Sequence, residues 1–253
     1  MTAINSNSIK IGSKIDKMDK PLSPLFIIFV MAYGGAFIAF FLFFFAKDWL
    51  WIEGWILWGA FETYFFFMMV GLNKRNPRIL RNRMKIKKEK KMEKQESKKA
   101  SSSDKIIMPL FAISFMLSFV ISDLDHPYNW SGDFPFWLEI IGFIILGLGL
   151  YLIYLTMLQN AYGAKVLDIR EGQRLIDTGV YAHVRHPMYA GFIGMALGIP
   201  LGLGSWWAII PAIGSVLLMV VRIKYEEEML ITGLEGYKEY RERVKYKLIP
   251  RIY

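Results

Sequence analysis

The stretch Gly179-Val-Tyr-Ala-His183-Val-Arg185-His186-Pro-Met-Tyr189-Ala-Gly191 sits at a boundary. A polar run ends just ahead of it at Thr178, and an almost unbroken apolar run extends from Met188 to Val221. Pro187 has no N–H and pushes His186 towards an extended conformation, so Arg185 and His186 are expected to stand outside the helix that follows. That helix accepts Pro in its first turn. The apolar run is too long for one ordinary membrane span and slightly short for two with a loop, since each needs about 20 residues. Pro200, Gly202 and Gly204 interrupt it, which predicts a helical hairpin that need not reach the far surface. Ionisable residues fixed at such an entrance mark a functional site. The competing reading is an interfacial anchor, with Arg185 snorkelling and Tyr181 and Tyr189 in an aromatic belt.

Composition supports the membrane reading. The chain is 54% hydrophobic and 16% aromatic, with mean hydropathy +0.31, and its apolar residues fall in long blocks. No cysteine is present, which excludes disulfides, thiolate metal sites and a cysteine nucleophile. The three histidines are His126, His183 and His186, a poor basis for a metal site, and none is expected. The net charge of +9 would suggest nucleic acid on a soluble surface, but it is concentrated in one loop. Residues 73–105 hold fourteen Lys and Arg against four acidic residues. The positive-inside rule places that loop in the cytoplasm, where it can also touch anionic lipid.

Working outward, residues 1–23 form a basic tail without the apolar centre of a signal peptide, read as flexible and cytosolic. Residues 24–72 carry two spans, near 25–45 and 50–72, with Trp49, Trp51 and Trp55 girdling the turn between them. Glu62 lies inside the second span, where a carboxylate should face a partner, water or another helix. A core over residues 106–253 begins with spans at 106–122 and 136–158. Between these, 123–135 has acidic residues but no Lys or Arg, which suits the outer side, and His126 is read there as a turn residue. Gly142, Gly147 and Gly149 in the fourth span, and Gly191, Gly194, Gly198 and Gly202 in the hairpin, allow a neighbouring helix or a ligand to come close. Leu230, Leu234, Tyr237, Tyr240 and Val244 recur at three- and four-residue spacing, which predicts one amphipathic cytosolic helix. The fold class is therefore all-α: a polytopic bundle of four full spans, a C-terminal hairpin and an amphipathic helix, with both termini cytosolic.

Arg222-Ile-Lys-Tyr-Glu226-Glu227-Glu228-Met-Leu230 marks the exit from the apolar run. Arg222 and Glu226 are four apart on one helical face and can pair or grip a ligand. Taken together, Gly-Val-Tyr, Arg-His-Pro-x-Tyr-x-Gly, Arg-x-x-x-Glu-Glu-x-x-Leu and Gly-x-x-Tyr-x-x-Tyr, in this order over residues 159–253, resemble the isoprenylcysteine carboxyl methyltransferase family. The resemblance implies an integral-membrane enzyme that uses S-adenosyl-L-methionine. It assigns cofactor contacts to Gln173, Arg174, Leu175, Ile176, Tyr181, His186, Pro187, Met188, Tyr189 and Glu226. It assigns the substrate carboxyl to Arg222, with Arg222 and Glu226 as the catalytic pair and Asp168 as a further contact. The implied partner is a lipophilic or prenylated acceptor within membrane lipid, and the cofactor site is cytosolic. A phospholipid amine or a small thiol is the alternative acceptor. A nicotinamide-dependent membrane reductase and a non-catalytic lipid-binding scaffold are the readings from other classes.

Overall fold

A computed structural model describes residues 20–75, 77, 80, 104–160 and 175–252. Gln173, Arg174, Asp168 and most of the basic tail and loop fall outside the described residues. The described part is helical: α1 (Pro24–Ala46), α2 (Ile52–Arg75), α3 (Asp104–Tyr128), α4 (Phe136–Gln159), a 3₁₀ turn (Gly179–Ala182), α5 (Pro187–Gly202), α6 (Trp206–Gly233) and α7 (Tyr237–Arg243). Five of these, α1, α2, α3, α4 and α6, are long and apolar enough to cross a membrane. Their outer faces carry large exposed apolar residues such as Leu25, Phe29, Phe37, Ile144 and Leu217, which in lipid need no protein cover. This is an integral, multi-pass membrane protein.

Local chemistry sets the helix ends. The Ser23 hydroxyl accepts from Phe26 N at the start of α1, with Pro24 in the first turn. Lys47 closes α1 in the left-handed region at φ 54°. Asn73 donates to and accepts from the backbone of Leu22, which ties the entry of α1 to the exit of α2. Glu62 on α2 lies against Gly35 of α1, so the partner sought for that carboxylate is a glycine-made gap in the neighbouring helix.

The interrupted apolar run does form a hairpin, but its arms are unequal. The 16 residues of α5 span about 24 Å and fall short of the hydrocarbon core, whereas the 28 residues of α6 span about 42 Å. The second arm is thus itself of spanning length. Gly204, at φ +71°, makes the turn, and Ser205 caps α6 by accepting from Ala208 N. The glycines of α5 are filled by α4 and not by open space for a ligand. A Cβ at Gly142 would lie 2.3 Å from Gly202 N, and one at Gly198 would lie 2.6 Å from Leu146 N. By contrast, a Cβ at Gly147, also on α4, would meet nothing within 4 Å. Helices α3 and α6 are joined differently, by Ser114 and Ser118 donating to the carbonyls of Pro211 and Ala208.

Two further expectations change. His126 belongs to the last turn of α3, where it stacks on Trp51 and meets Asp48 at 3.0 Å, so it clasps α3 to the α1–α2 connection and is not a turn residue. The periodic residues 230–244 do not form one helix. Leu230 ends up in α6, and Gly236 at φ +79° turns the chain before α7. The apolar stripe survives the break, because Tyr237, Tyr240 and Val244 pack with Leu230, Leu234 and Leu175.

Candidate active site

The start of α3, the end of α6 and the start of α5 meet at one end of the bundle, beneath the 3₁₀ turn and α7. His186 precedes α5 with φ −124° and ψ 58°, outside the helix as Pro187 demands. Its position is fixed by the C-terminal segment. Arg185 N donates to Tyr246 O and His186 N to Lys247 O. The Arg185 side chain turns inward and donates from Nη1 to the carbonyls of Val244 and Lys245. Arg185 is 6% exposed, so it does not snorkel. Its charge is met by Glu227, 2.7 Å from Nε, and the same carboxylate lies 3.3 Å from His186 Nε2 and 3.1 Å from Lys247 Nζ.

Sequence reasoning passed over Glu227. Its neighbour Glu226 stands four residues after Arg222 and drew the attention, while Glu227 is the more buried of the two. The signal that could have found it is the adjacent Arg185-His186 pair. A buried arginine held off a helix in a greasy setting, beside a histidine, needs an anion close by.

A second network adjoins the first. Arg222 donates from Nη1 to Tyr189 Oη at 2.6 Å, and Tyr189 in turn donates to Glu226 Oε2. The hydroxyl therefore links the two residues that the helical spacing had paired. On its other side, Arg222 Nε and Nη2 donate to Asp104 Oδ1 and Oδ2 at 2.8 and 3.1 Å. Asp104, one of the four acidic residues within 73–105, opens α3 and is buried. The two networks touch where the rings of His186 and Tyr189 meet edge to face at 5.6 Å.

The other expected positions lie around this pair. Pro187 is buried, and Met188 and Glu226 are half-buried. Leu175 packs against the tyrosines of α7, and Ile176 follows it, half-buried. The Tyr181 hydroxyl accepts from Asn160 at 2.7 Å, and its carbonyl accepts from Tyr240 Oη at 2.7 Å. Burial pushes the Tyr181 hydroxyl up to about 12, and it also raises Tyr237 and Tyr240. His183 stays exposed, with Nδ1 3.2 Å from Gly179 O. A cavity of about 270 Å³, lined in part by Trp51, Glu53, His126 and Glu139, lies at the opposite end of the bundle.

Residues 137–235, from α4 to just beyond α6, match the phospholipid methyltransferase family. The chain is 30% identical over 149 residues to the protein-S-isoprenylcysteine O-methyltransferase of Schizosaccharomyces pombe, covering 55% of this chain and 56% of that one. The chain resembles the isoprenylcysteine carboxyl methyltransferases. It is also 30% identical over 94 residues to a delta(14)-sterol reductase of Mus musculus, covering 36% of this chain and 22% of the reductase. It spans little more than half the length of the yeast methyltransferase and about a fifth of the reductase. A solved structure of a eukaryotic intramembrane Ras methyltransferase, isoprenylcysteine carboxyl methyltransferase, aligns with TM-score 0.47 and 19% identity over 91% of this chain and 88% of that one. The methyltransferase match to residues 137–235 includes His186, Tyr189, Arg222, Glu226 and Glu227; Asp104 and the C-terminal segment lie outside it.

Proposed function

We propose that this chain is an S-adenosyl-L-methionine-dependent membrane methyltransferase acting on a lipophilic acceptor, with a prenylcysteine-like carboxylate as the preferred one. The observation that carries the reading is the tie between Arg222 and Glu226 through Tyr189, set against His186 within the segment that resembles known methyltransferases. The residue types suit the cofactor. A half-buried carboxylate favours a cation beside it, and the half-buried Leu175, Ile176 and Met188 offer apolar surface for a flat base, backed by the buried Tyr181 and Pro187. Gln173 and Arg174 belong to the proposal through the resemblance alone.

When bound, the cofactor supplies a methyl group on a positively charged sulfur. The protein's part is alignment and charge. An anionic acceptor needs little acid or base help, so most of the acceleration must come from holding the reactants in line, an effect worth about 7–11 kcal/mol. Arg222 provides the positive charge for a carboxylate. Tyr189 keeps Arg222 and Glu226 in fixed relation. Glu226 sets negative charge beside the donor, and with an amine acceptor it would instead take up the proton. His186, held by Glu227 and by the C-terminal segment, fixes the turn that leads into α5. The site end is read as cytosolic, with the acceptor entering from lipid.

The test incubates membranes containing the full chain with radiolabelled methyl donor and a panel of lipophilic acceptors. Base-labile label on N-acetyl-S-farnesylcysteine is the expected result. Base-stable label on phosphatidylethanolamine would favour the amine reading, which the family description supports. Absence of S-adenosylhomocysteine formation with every acceptor would overturn both.

A further inference from the structure

We propose that Asp104 is a positioning residue for the acceptor site: from the first turn of α3 it sets the plane of the Arg222 guanidinium before any acceptor arrives. The inference rests on the methyl-transfer reading above and adds a residue outside the segment that matches the methyltransferase family. Asp104 and Arg222 are 118 positions apart, yet both side chains are buried and meet in a two-point grip. A two-point grip fixes direction as well as distance. Arginine loses rotamer entropy when it is ordered, and a permanent partner removes that cost from the binding step. The third contact, Nη1 on Tyr189 Oη, continues the same geometry to Glu226. Asp104 thus orients Arg222 itself, while Tyr189 and Glu226 keep the places that α5 and α6 give them. The placement at the start of α3 suits a carboxylate, because helix N-termini favour negative charge.

Mere neutralisation of a buried cation is the competing explanation, and two variants separate them. Asp104→Glu keeps the charge but moves the carboxylate by one methylene; Asp104→Asn keeps the shape but loses the charge. Both are made in the full chain, purified in detergent, and assayed with N-acetyl-S-farnesylcysteine and labelled donor. S-adenosylhomocysteine affinity is measured calorimetrically on the same samples. Positioning predicts that Asp104→Asn lowers kcat/KM for the acceptor about 10- to 100-fold, in line with losing a charged hydrogen bond and its alignment. It predicts a loss of at least about fivefold for Asp104→Glu despite the retained charge. S-adenosylhomocysteine affinity should stay within about threefold in both variants, because the grip acts on Arg222. Wild-type acceptor kinetics in Asp104→Glu, or acceptor kinetics and S-adenosylhomocysteine affinity falling together, would overturn the positioning role and leave methyl transfer standing. A wild type that transfers no methyl group to this acceptor overturns the positioning role, and silence across the whole panel overturns the parent reading as well.

Discussion

Two adjacent glutamates on α6 do different work, and the difference is set by what each one touches. Glu227 answers Arg185, His186 and Lys247 at once, with a side chain only 7% exposed. Removing it strands the buried Arg185 charge, so Glu227→Ala should destabilise the chain by about 3–5 kcal/mol, read as a lowered melting temperature in detergent. Glu226 is half-buried and holds one hydroxyl. Glu226→Gln keeps an acceptor for Tyr189 and should cost less than about 1 kcal/mol while abolishing most methyl transfer. Equal melting losses for the two variants would contradict this division. The helical spacing of Arg222 and Glu226 made one of them visible in the sequence. Glu227 and Asp104 stayed hidden because their partners come from segments far away along the chain. At the same end, Tyr181 keeps its proton more tightly when folded than when unfolded. Its raised value of about 12 means its stabilising share is whole below the unfolded value of 10.0 and is lost as pH climbs through 12. Tyr181→Phe should therefore flatten part of the alkaline fall in melting temperature. An unchanged slope would show that the hydroxyl is not shielded as described.

Among the elements, the α4–α5 contact is built on absent side chains. A Cβ at Gly149 would sit 2.7 Å from Gly191 O, while one at Gly147 meets nothing within 4 Å. Gly149→Ala should then cost about 1–3 kcal/mol through forced separation of the two helices. Gly147→Ala should be neutral or gain about 0.5–1 kcal/mol from helix propensity. Thermal unfolding of both variants decides the matter, and indistinguishable melts would contradict the packing. Composition made the helices themselves legible, since blocks of apolar residues end at Pro, Gly and Trp. It could not tell which glycines face a helix and which face lipid, because both environments are apolar. The break at Gly236 was equally silent: a stripe at three- and four-residue spacing reads the same in one helix or in two that share a cluster. The strap over Arg185 and His186 was the least visible element, because backbone carbonyls of 244–247 carry no signature in side-chain chemistry. A chain ending at Arg243 should keep its spanning helices but lose the ordered turn, and S-adenosylhomocysteine binding with it. Wild-type affinity in that truncation would show the strap to be dispensable.

For the whole molecule, the arrangement divides polar from apolar work between the ends and the lipid-facing sides. Side chains from α3, α5 and α6, together with the C-terminal segment, converge at one end. The other end is closed by Asp125, which accepts from Ser131 and Ser205, and by the Asp48–His126–Trp51 clasp. The central claim is that the first of these ends is one cofactor site, organised by the turn before α5 and by the exit of α6. Calorimetric titration of S-adenosylhomocysteine into the detergent-purified full chain tests it most directly, with Glu226→Ala and His183→Ala measured alongside. The account predicts one site per chain, binding weakened at least about tenfold by Glu226→Ala, and no change from the exposed His183→Ala. No binding to the folded wild type, or equal affinity in all three proteins, would contradict it.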